Sequence, residues 1–287
     1  MTTKSFKIGE ADSKSGLAEV SRPVVIGLDA PLFVIAGPCV IESEDICIDI
    51  AGRLAEIADK TDLGIIFKAS FDKANRSSIS SYRGPGLEKG LEILAKVRSQ
   101  TGLAVMTDVH EPSQAKPVAE VVDCLQVPAF MCRQTDLLCA CANTGRAVNV
   151  KKGQFVSPDE MKNVVEKVRS CDNDKIMLTE RGTFFGYNRL VNDMTAIQTM
   201  KKLGCPVVFD ATHSTQQPGG LGKSSAGNPE MAPVLAKAAV AAGANGLFIE
   251  VHTKPEKAKS DAACIMPIEW LQDLINDCKQ ISQIVRG

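Results

Sequence analysis

The chain has 287 residues, of which 44% are hydrophobic, and its formal net charge is -1. This length suits one large α/β domain, and the balanced charge favours neither a nucleic-acid partner nor a membrane surface. The opening MTTKSFKIGE lacks the apolar region of a secretory signal, and no run of about 18 apolar residues predicts a membrane-spanning helix. A cytoplasmic protein is therefore expected.

The ten cysteines are scattered and form no CxxC pair. In a chain without a secretory signal, this pattern predicts reduced thiols. Cys139 and Cys141 stand in the apolar, helix-like stretch LLCACAN and are interpreted as core residues.

The predicted elements alternate between short apolar strands and amphipathic helices. Residues 1–22 are polar and are predicted to form an N-terminal extension, after which RPVVIGLDAP is a candidate short strand or hairpin that seals one end of a barrel. Eight strands are then predicted, at residues 32–36, 64–70, 103–108, 123–128, 147–151, 176–180, 206–212 and 246–252. Helices are predicted at residues 45–59, 87–100 and 157–170, the last with Ser157 as N-cap and Pro158 at the first helical position.

Eight strand–helix units in a chain of this length favour an α/β fold of the (β/α)8 TIM barrel type, with residues 23–287 as a single catalytic domain. A doubly wound open sheet is the structural alternative. Such sheets usually carry a Gly-rich phosphate-binding turn after the first strand, and here that turn reads GPC. The barrel is therefore the preferred prediction.

Polar residues gather where the predicted strands end, which is where barrel enzymes place their catalytic groups. All three histidines, His110, His213 and His252, fall at such ends beside carboxylates. Other residues at these ends are Cys39, Ser70, Asp108, Gln126, Glu180, Asp210 and Glu250. This placement predicts a polar active site at one mouth of the barrel.

Cationic residues are the second group at this mouth: Lys68, Lys73, Arg76, Lys151 and Arg181. Anionic ligand groups, such as phosphates and a carboxylate, are the simplest source of their counter-charge. The alternative is a set of salt bridges with Asp72, Asp108 and Glu180. A P-loop is excluded because the sequence has no GxxxxGK[ST] motif.

A metal site is a third possibility. Cys39, His213, Glu250 and Asp261 follow the first, seventh and eighth predicted strands, which are neighbours in a closed barrel. A thiol, an imidazole and two carboxylates suit a divalent ion such as Zn, Fe(II), Mn or Co. No local ligand motif is present, so Cys39 is at this point a candidate metal ligand, nucleophile or packed core residue.

Several segments resemble the 3-deoxy-D-manno-octulosonate 8-phosphate synthases: FKASFDKANRSS, SYRGPGLE, TDVHEPSQA, QVPAFMCRQTDLL, NVKKGQF, ERGTFFGYN, DATHSTQQPGG and GLFIEVH. FDKANRSS and CRQTDLL separate this family from the related synthase that makes the seven-carbon shikimate precursor. The resemblance implies a homotetrameric barrel that condenses phosphoenolpyruvate, D-arabinose 5-phosphate and water. The products would be the eight-carbon keto acid phosphate, used in lipopolysaccharide biosynthesis, and inorganic phosphate.

The resemblance also implies roles for individual residues. Phosphoenolpyruvate would be bound by Lys68, Ser70, Lys73, Lys151, Arg181 and the peptide around Ala129. Arabinose 5-phosphate would be bound by Asn75, Arg76 and Ser77, with Gln126 as a further substrate-binding candidate. Arg133 would reach a neighbouring subunit's site. The candidate catalytic residues are Lys73, Asp108, His110 and His213.

Members of the family with Asn after the Gly-Pro of the first strand need no metal, whereas members with Cys there bind a divalent ion through Cys, His, Glu and Asp. This chain has the complete set, Cys39, His213, Glu250 and Asp261, so the resemblance implies the metal-dependent type with the ion unidentified. One departure from the family is the stretch KSSAGNPEMAP, where a Gly-Gly and a basic residue are usual. Asn228-Pro229 puts the closure of that loop in question.

Three other functions are considered. The first is the seven-carbon synthase, which uses erythrose 4-phosphate. The second is a Schiff-base aldolase with Lys68 as nucleophile, which borohydride trapping would reveal. The third is a non-catalytic sugar-phosphate-binding or regulatory protein, which the full set of charged strand-end residues disfavours.

Overall fold

A computed structural model of the chain describes residues 4–11, 16–76, 78–184, 189–217 and 226–286. The strands in these ranges are β1 (Phe6–Ile8), β2 (Val24–Ile26), β3 (Phe33–Gly37), β4 (Gly64–Lys68), β5 (Ala104–Asp108), β6 (Cys124–Val127), β7 (Ala147–Lys151), β8 (Ile176–Glu180), β9 (Val207–Asp210), β10 (Gln216–Gln217), β11 (Ala226–Gly227), β12 (Gly246–His252) and β13 (Met266–Pro267). The helices are α1 (Glu44–Thr61), α2 (Leu87–Thr101), α3 (Pro112–Ala119), α4 (Thr135–Asn143), α5 (Met161–Arg169), α6 (Thr195–Lys201), α7 (Met231–Ala241) and α8 (Leu271–Arg286).

Eight parallel strands close into a barrel. Strands β3 to β9 pair in chain order, and β12 pairs with both β9 and β3, so that Leu247 lies opposite Phe209 on one side and Val34 on the other. This confirms the predicted (β/α)8 barrel. The strands predicted at 147–151, 176–180 and 246–252 have the observed bounds, and each of the other five differs by at most two residues at either end.

The barrel strands are apolar because both of their faces are buried. Along β3, Val34 and Ala36 belong to the outer core cluster with the helices, whereas Phe33 and Ile35 belong to a second cluster inside the barrel. The side chains of a strand alternate between its two faces, so one short run of sequence supplies both layers.

An N-terminal hairpin seals the end of the barrel where the strands begin. Strands β1 and β2 pair antiparallel, and Ile8, Val24 and Ile26 join the interior cluster. This confirms a short N-terminal hairpin, but RPVVIGLDAP supplies only its second strand, and the first strand lies within the predicted extension 1–22. The hairpin leaves the opposite end of the barrel, where the strands end, open. The division into residues 1–22 and 23–287 stays a prediction. Strands β1 and β2 stand on either side of that boundary and pair with each other.

The predicted start of the helix at Ser157 was wrong. Helix α5 begins at Met161, because the preceding residues form tight turns in which the Glu160 amide donates to the Ser157 carbonyl and the Met161 amide to the Pro158 carbonyl. The Glu160 carboxylate still accepts a hydrogen bond from the Ser157 amide at 3.2 Å.

In α4, Cys141 is buried and Cys139 is partly buried. Within the described ranges, none of the helices combines the length and the apolar character that crossing a bilayer requires.

Candidate active site

A cavity of about 590 Å³ opens where the barrel strands end. The sequence-predicted site residues that line it are Lys68, Lys73, Asn75, Arg76, Asp108, His110, Gln126, Ala129, Lys151, Arg181, His213 and Asp261. The strand ends thus converge on one space. The volume suits a drug-sized or smaller ligand.

Other predicted residues lie outside this lining. Cys39, Ser70 and Glu250 are buried, each within hydrogen-bond or ion-pair distance of a lining residue. Arg133 is exposed and lines a second cavity beside α5, where its carbonyl accepts a hydrogen bond from Lys167. Ser77 lies outside the described residues.

Lys68 connects three strand ends at the base of the cavity. Its Nζ donates to the Ser70 hydroxyl at 2.8 Å and to the Cys39 carbonyl at 3.3 Å. The same ammonium lies 3.6 Å from the carboxylates of Asp108 and Glu250. Burial raises the pKa of Asp108, but Lys68 and other cations outweigh it, so the pKa lies well below its usual range. Asp108 therefore stays ionised at the base of the cavity.

Asp210 orients two other groups of the cavity. Its Oδ2 lies 2.6 Å from the Lys151 ammonium and 2.8 Å from His213 Nδ1. His213 therefore donates through Nδ1, which leaves Nε2 as the free ligand atom. The Lys151 ammonium lies 3.7 Å from the centre of the Phe248 ring. Burial lowers the pKa of Lys151, and the charge of Asp210 opposes this.

Cys39, Glu250 and Asp261 form a possible metal site. One ligand atom from each lies within 4.8 Å of the others. His213 is outside this group, but its Nε2 is 3.6 Å from Glu250 Oε2 and 3.8 Å from Asp261 Oδ2. Among the described residues, neither carboxylate oxygen of Glu250 has a hydrogen-bond partner, although it is 1% exposed. Buried oxygens without hydrogen bonds are costly, and the Lys68 ammonium 3.6 Å from Oε1 offsets this only in part, so both oxygens can take a further cationic ligand.

The electrostatics of Cys39 agree with this interpretation. Burial, and then the charges of Asp261 and Glu250, raise the pKa of the Cys39 thiol well above its usual value. Such a thiol is a poor nucleophile. A divalent cation would supply the positive charge that a thiolate needs here. The donors present therefore fit a borderline divalent ion.

Two further cations face the cavity. Burial lowers the pKa of Lys73, but the carboxylates of Glu250, Asp261 and Asp108 outweigh this effect, so the pKa is raised well above its usual value and the ammonium stays protonated. Arg181 donates from Nη2 to Gln216 at 3.0 Å, and its buried Nη1 has no hydrogen-bond partner among the described residues. Arg181 is thus prepared to bind an anionic group.

Sequence reasoning missed Ser260. Its hydroxyl accepts a hydrogen bond from Arg76 Nη1 at 2.7 Å and lies 3.0 Å from Cys39 Sγ. The only signal was its position before Asp261.

His252, in contrast, is not among the described residues that line the cavity, although it ends a strand. Its Nδ1 accepts a hydrogen bond from the Lys254 amide, and its Nε2 lies 3.7 Å from Glu42.

Comparison with known proteins gives consistent matches. The sequence profile of the DAHP synthetase I family matches residues 7–286. A 2-dehydro-3-deoxyphosphooctonate aldolase of Alkalilimnicola ehrlichii is 54% identical over 262 residues, which cover 91% of this chain and 95% of that protein. Relatives of the same name from Desulfatibacillum aliphaticivorans and Protochlamydia amoebophila are 57% and 51% identical, covering 87% and 93% of this chain and 92% and 97% of theirs.

Proposed function

The chain belongs to the DAHP synthetase I family, and we propose that it condenses phosphoenolpyruvate with D-arabinose 5-phosphate and water. The products are 3-deoxy-D-manno-octulosonate 8-phosphate and inorganic phosphate. The observation that carries this proposal is the set of cations around one cavity: Lys68, Lys73, Arg76, Lys151 and Arg181. Lys68 and Lys151 already pair with carboxylates of the site. Two phosphates and a carboxylate of the substrates add further counter-charge, which groups such as Nη1 of Arg181 can take because it has no hydrogen-bond partner among the described residues.

The arrangement of the cations supports a division of the cavity. Lys68, Lys151 and Arg181 bind phosphoenolpyruvate, with Ser70 orienting Lys68 through its hydroxyl. The peptide at Ala129 completes this end. Asn75 and Arg76, with Ser77, bind arabinose 5-phosphate. Gln126 lines the wall of the same cavity.

The chemistry forms one carbon–carbon bond and breaks one carbon–oxygen bond. C3 of phosphoenolpyruvate attacks the aldehyde carbon, and the aldehyde oxygen takes a proton from Lys73. Water adds at C2 and gives up one proton, which restores the Lys73 ammonium. The resulting hemiketal phosphate loses inorganic phosphate by C–O cleavage, and the hemiketal proton leaves on the phosphate. Asp108 and His110, whose side chains lie 3.1 Å apart, orient the sugar. The cations stabilise the negative charge that spreads over the reacting groups.

A divalent ion, Zn, Fe, Mn or Co, completes the site and would be held by Cys39, His213, Glu250 and Asp261. The Glu250 oxygens, which accept no hydrogen bond among the described residues, and the Nε2 atom of His213 support this ligand set. When bound, the ion supplies a positive charge that orients or polarises a reacting oxygen. The enzyme is proposed to be cytoplasmic.

A homotetramer is proposed as the assembly, with Arg133 reaching the site of a neighbouring subunit. The exposure of Arg133 outside the main cavity supports this role. The seven-carbon synthase is the competing function within the family. The shared name of the relatives favours the eight-carbon reaction.

The deciding experiment measures phosphate release from phosphoenolpyruvate plus arabinose 5-phosphate. It is run with and without a chelator, and then with each divalent metal restored. We expect release that the chelator stops and one of the metals restores. Activity with erythrose 4-phosphate but not with arabinose 5-phosphate would indicate the seven-carbon reaction, and release that the chelator leaves unchanged would remove the metal from the proposal.

A further inference from the structure

Lys152 and Glu180 form an ion pair behind the cavity. The Lys152 side chain is completely buried, Glu180 is 2% exposed, and Lys152 Nζ lies 3.6 Å from Glu180 Oε2. Neither residue is among the described residues that line the cavity. A buried pair of charges is costly to maintain. The backbone groups that hydrogen-bond to Lys152 and Glu180 indicate which parts of the site this pair positions.

The other oxygen of Glu180 holds the chain segment that carries Arg181. Glu180 Oε1 accepts hydrogen bonds from the Arg181 amide at 3.0 Å and from the Gly182 amide at 2.7 Å. Gly182 has a φ of +88°, a conformation that favours glycine, so the chain turns sharply directly after Arg181. Burial raises the pKa of Glu180, and the charge of Lys152 opposes this. Lys152 therefore favours the ionised form of this carboxylate.

Lys152 holds the segment that follows Lys151. Its Nζ donates to the carbonyls of Gly153 at 3.3 Å and Val156 at 3.1 Å. This segment packs against the Ala129 peptide, because a Cβ on Gly153 would lie 3.1 Å from the Ala129 carbonyl oxygen. The buried Lys152 ammonium thus fixes the segment that follows Lys151, and this segment packs against the Ala129 peptide.

We propose that Lys152 and Glu180 are positioning residues that set the affinity of the cavity for phosphoenolpyruvate. They act through Lys151, Arg181 and the Ala129 peptide and do not touch the substrate. This inference rests on the proposed function, since it takes those three groups as the phosphoenolpyruvate end of the cavity.

The test compares wild-type protein with Lys152→Met and with the double variant Lys152→Met/Glu180→Leu. The double variant removes both charges together, which buried pairs tolerate better than the loss of one partner. Phosphoenolpyruvate binding is measured by calorimetry without the second substrate, alongside KM for each substrate. We expect Kd and KM for phosphoenolpyruvate to rise about 10- to 100-fold. KM for arabinose 5-phosphate should change less than about two-fold.

A matched control is Asp123→Asn at the opposite end of the barrel. Asp123 is buried, pairs with Arg98 at 2.9 Å and accepts a hydrogen bond from the Val105 amide, so it shares with Glu180 its burial, a cationic partner and a backbone amide donor. This variant should lose thermal stability and keep its affinity for phosphoenolpyruvate.

Different results would overturn the positioning role of Lys152 and Glu180 and the proposed condensation reaction. Wild-type affinity in the folded double variant, or an equal rise in KM for both substrates, would reduce the pair to a structural role and overturn this inference alone. Failure of the wild-type protein to bind phosphoenolpyruvate would overturn the proposed function and this inference with it.

Discussion

The Sγ atom of Cys39 lies 3.1 Å from Oδ2 of Asp261, although 222 positions separate these residues in the chain. The barrel closes between β12 and β3, and Glu250 stands opposite Gly37 in that pairing. The closure therefore brings the residues after the last barrel strand to those after the first. The possible metal site exists only because these two strands are neighbours.

Replacing Cys39 by Asn tests this cluster. Asn cannot supply a thiolate, so Cys39→Asn should lower the affinity for divalent metal about 10-fold or more and keep some activity. Metal content after dialysis and phosphate release with and without chelator are the measurements. Cys141→Ala, a buried cysteine in α4, is the control and should cost about 1 kcal/mol of stability with unchanged metal content. Wild-type metal content in Cys39→Asn would refute the ligand role.

Arg181→Gln tests the anion site. A hydrogen bond to a charged group contributes about 1.5–3 kcal/mol, so KM for phosphoenolpyruvate should rise about 10- to 100-fold. The melting temperature should fall only slightly, because the Nη2 hydrogen bond to Gln216 is lost but Nη1 has no hydrogen-bond partner among the described residues to lose. Arg53→Gln, on the solvent side of α1, should leave KM unchanged. Unchanged KM in Arg181→Gln would place the substrate elsewhere.

Gly37→Ala tests the close approach between β3 and β4. Gly37 has a φ of +153°, and a Cβ there would lie 2.1 Å from the Lys68 carbonyl oxygen. We expect a loss of about 2 kcal/mol or more, with weaker phosphoenolpyruvate binding as Lys68 is displaced. Gly52→Ala in α1 has no atom within 4 Å and should gain about 0.5–1 kcal/mol. Denaturant unfolding distinguishes them, and equal effects of the two changes would contradict the steric argument.

Asp59→Asn tests how the sealing hairpin is attached. Arg22 donates to both Asp59 oxygens, at 3.0 and 2.8 Å, and to the Thr101 carbonyl at 2.7 Å. The hydrogen bond from Arg22 lowers the pKa of Asp59 below its ordinary 3.8. Ionised Asp59 therefore stabilises the fold above that value, and the contribution is lost as pH falls through the lower, folded pKa.

The expected result is a small drop in melting temperature for Asp59→Asn at pH 7, which disappears at acid pH below 3.8. Thermal unfolding across this pH range is the measurement. Glu56→Gln, on the same helix and 3.8 Å from Lys60, should change the melting temperature less at pH 7. A difference between wild type and Asp59→Asn that grows towards acid pH would contradict the assignment.

Local signals explain why the elements were predictable. Strands buried on both faces must be short and apolar, so β7, β8 and β12 could be located from sequence alone. The start of α5 could not, because Ser157 makes the same local contacts whether it caps a helix or a preceding turn. Only the backbone conformation of residues 157–160 shows that Ser157 begins a turn that precedes α5 and does not cap the helix itself.

Of the sealing hairpin, the sequence predicted only the segment of β2, because its partner β1 lies in the polar segment 1–22. The sequence by itself determined the barrel and the charged residues at its strand ends, since each of these follows from a pattern within a few neighbouring positions. Only the tertiary structure decided which of those residues meet. Ser260 joins Arg76 to Cys39, and Lys152 pairs with Glu180. Contacts between side chains on different strands depend on how the barrel closes and on the alternation of strand faces. These geometric relations span the whole chain, and no local pattern of residues records them.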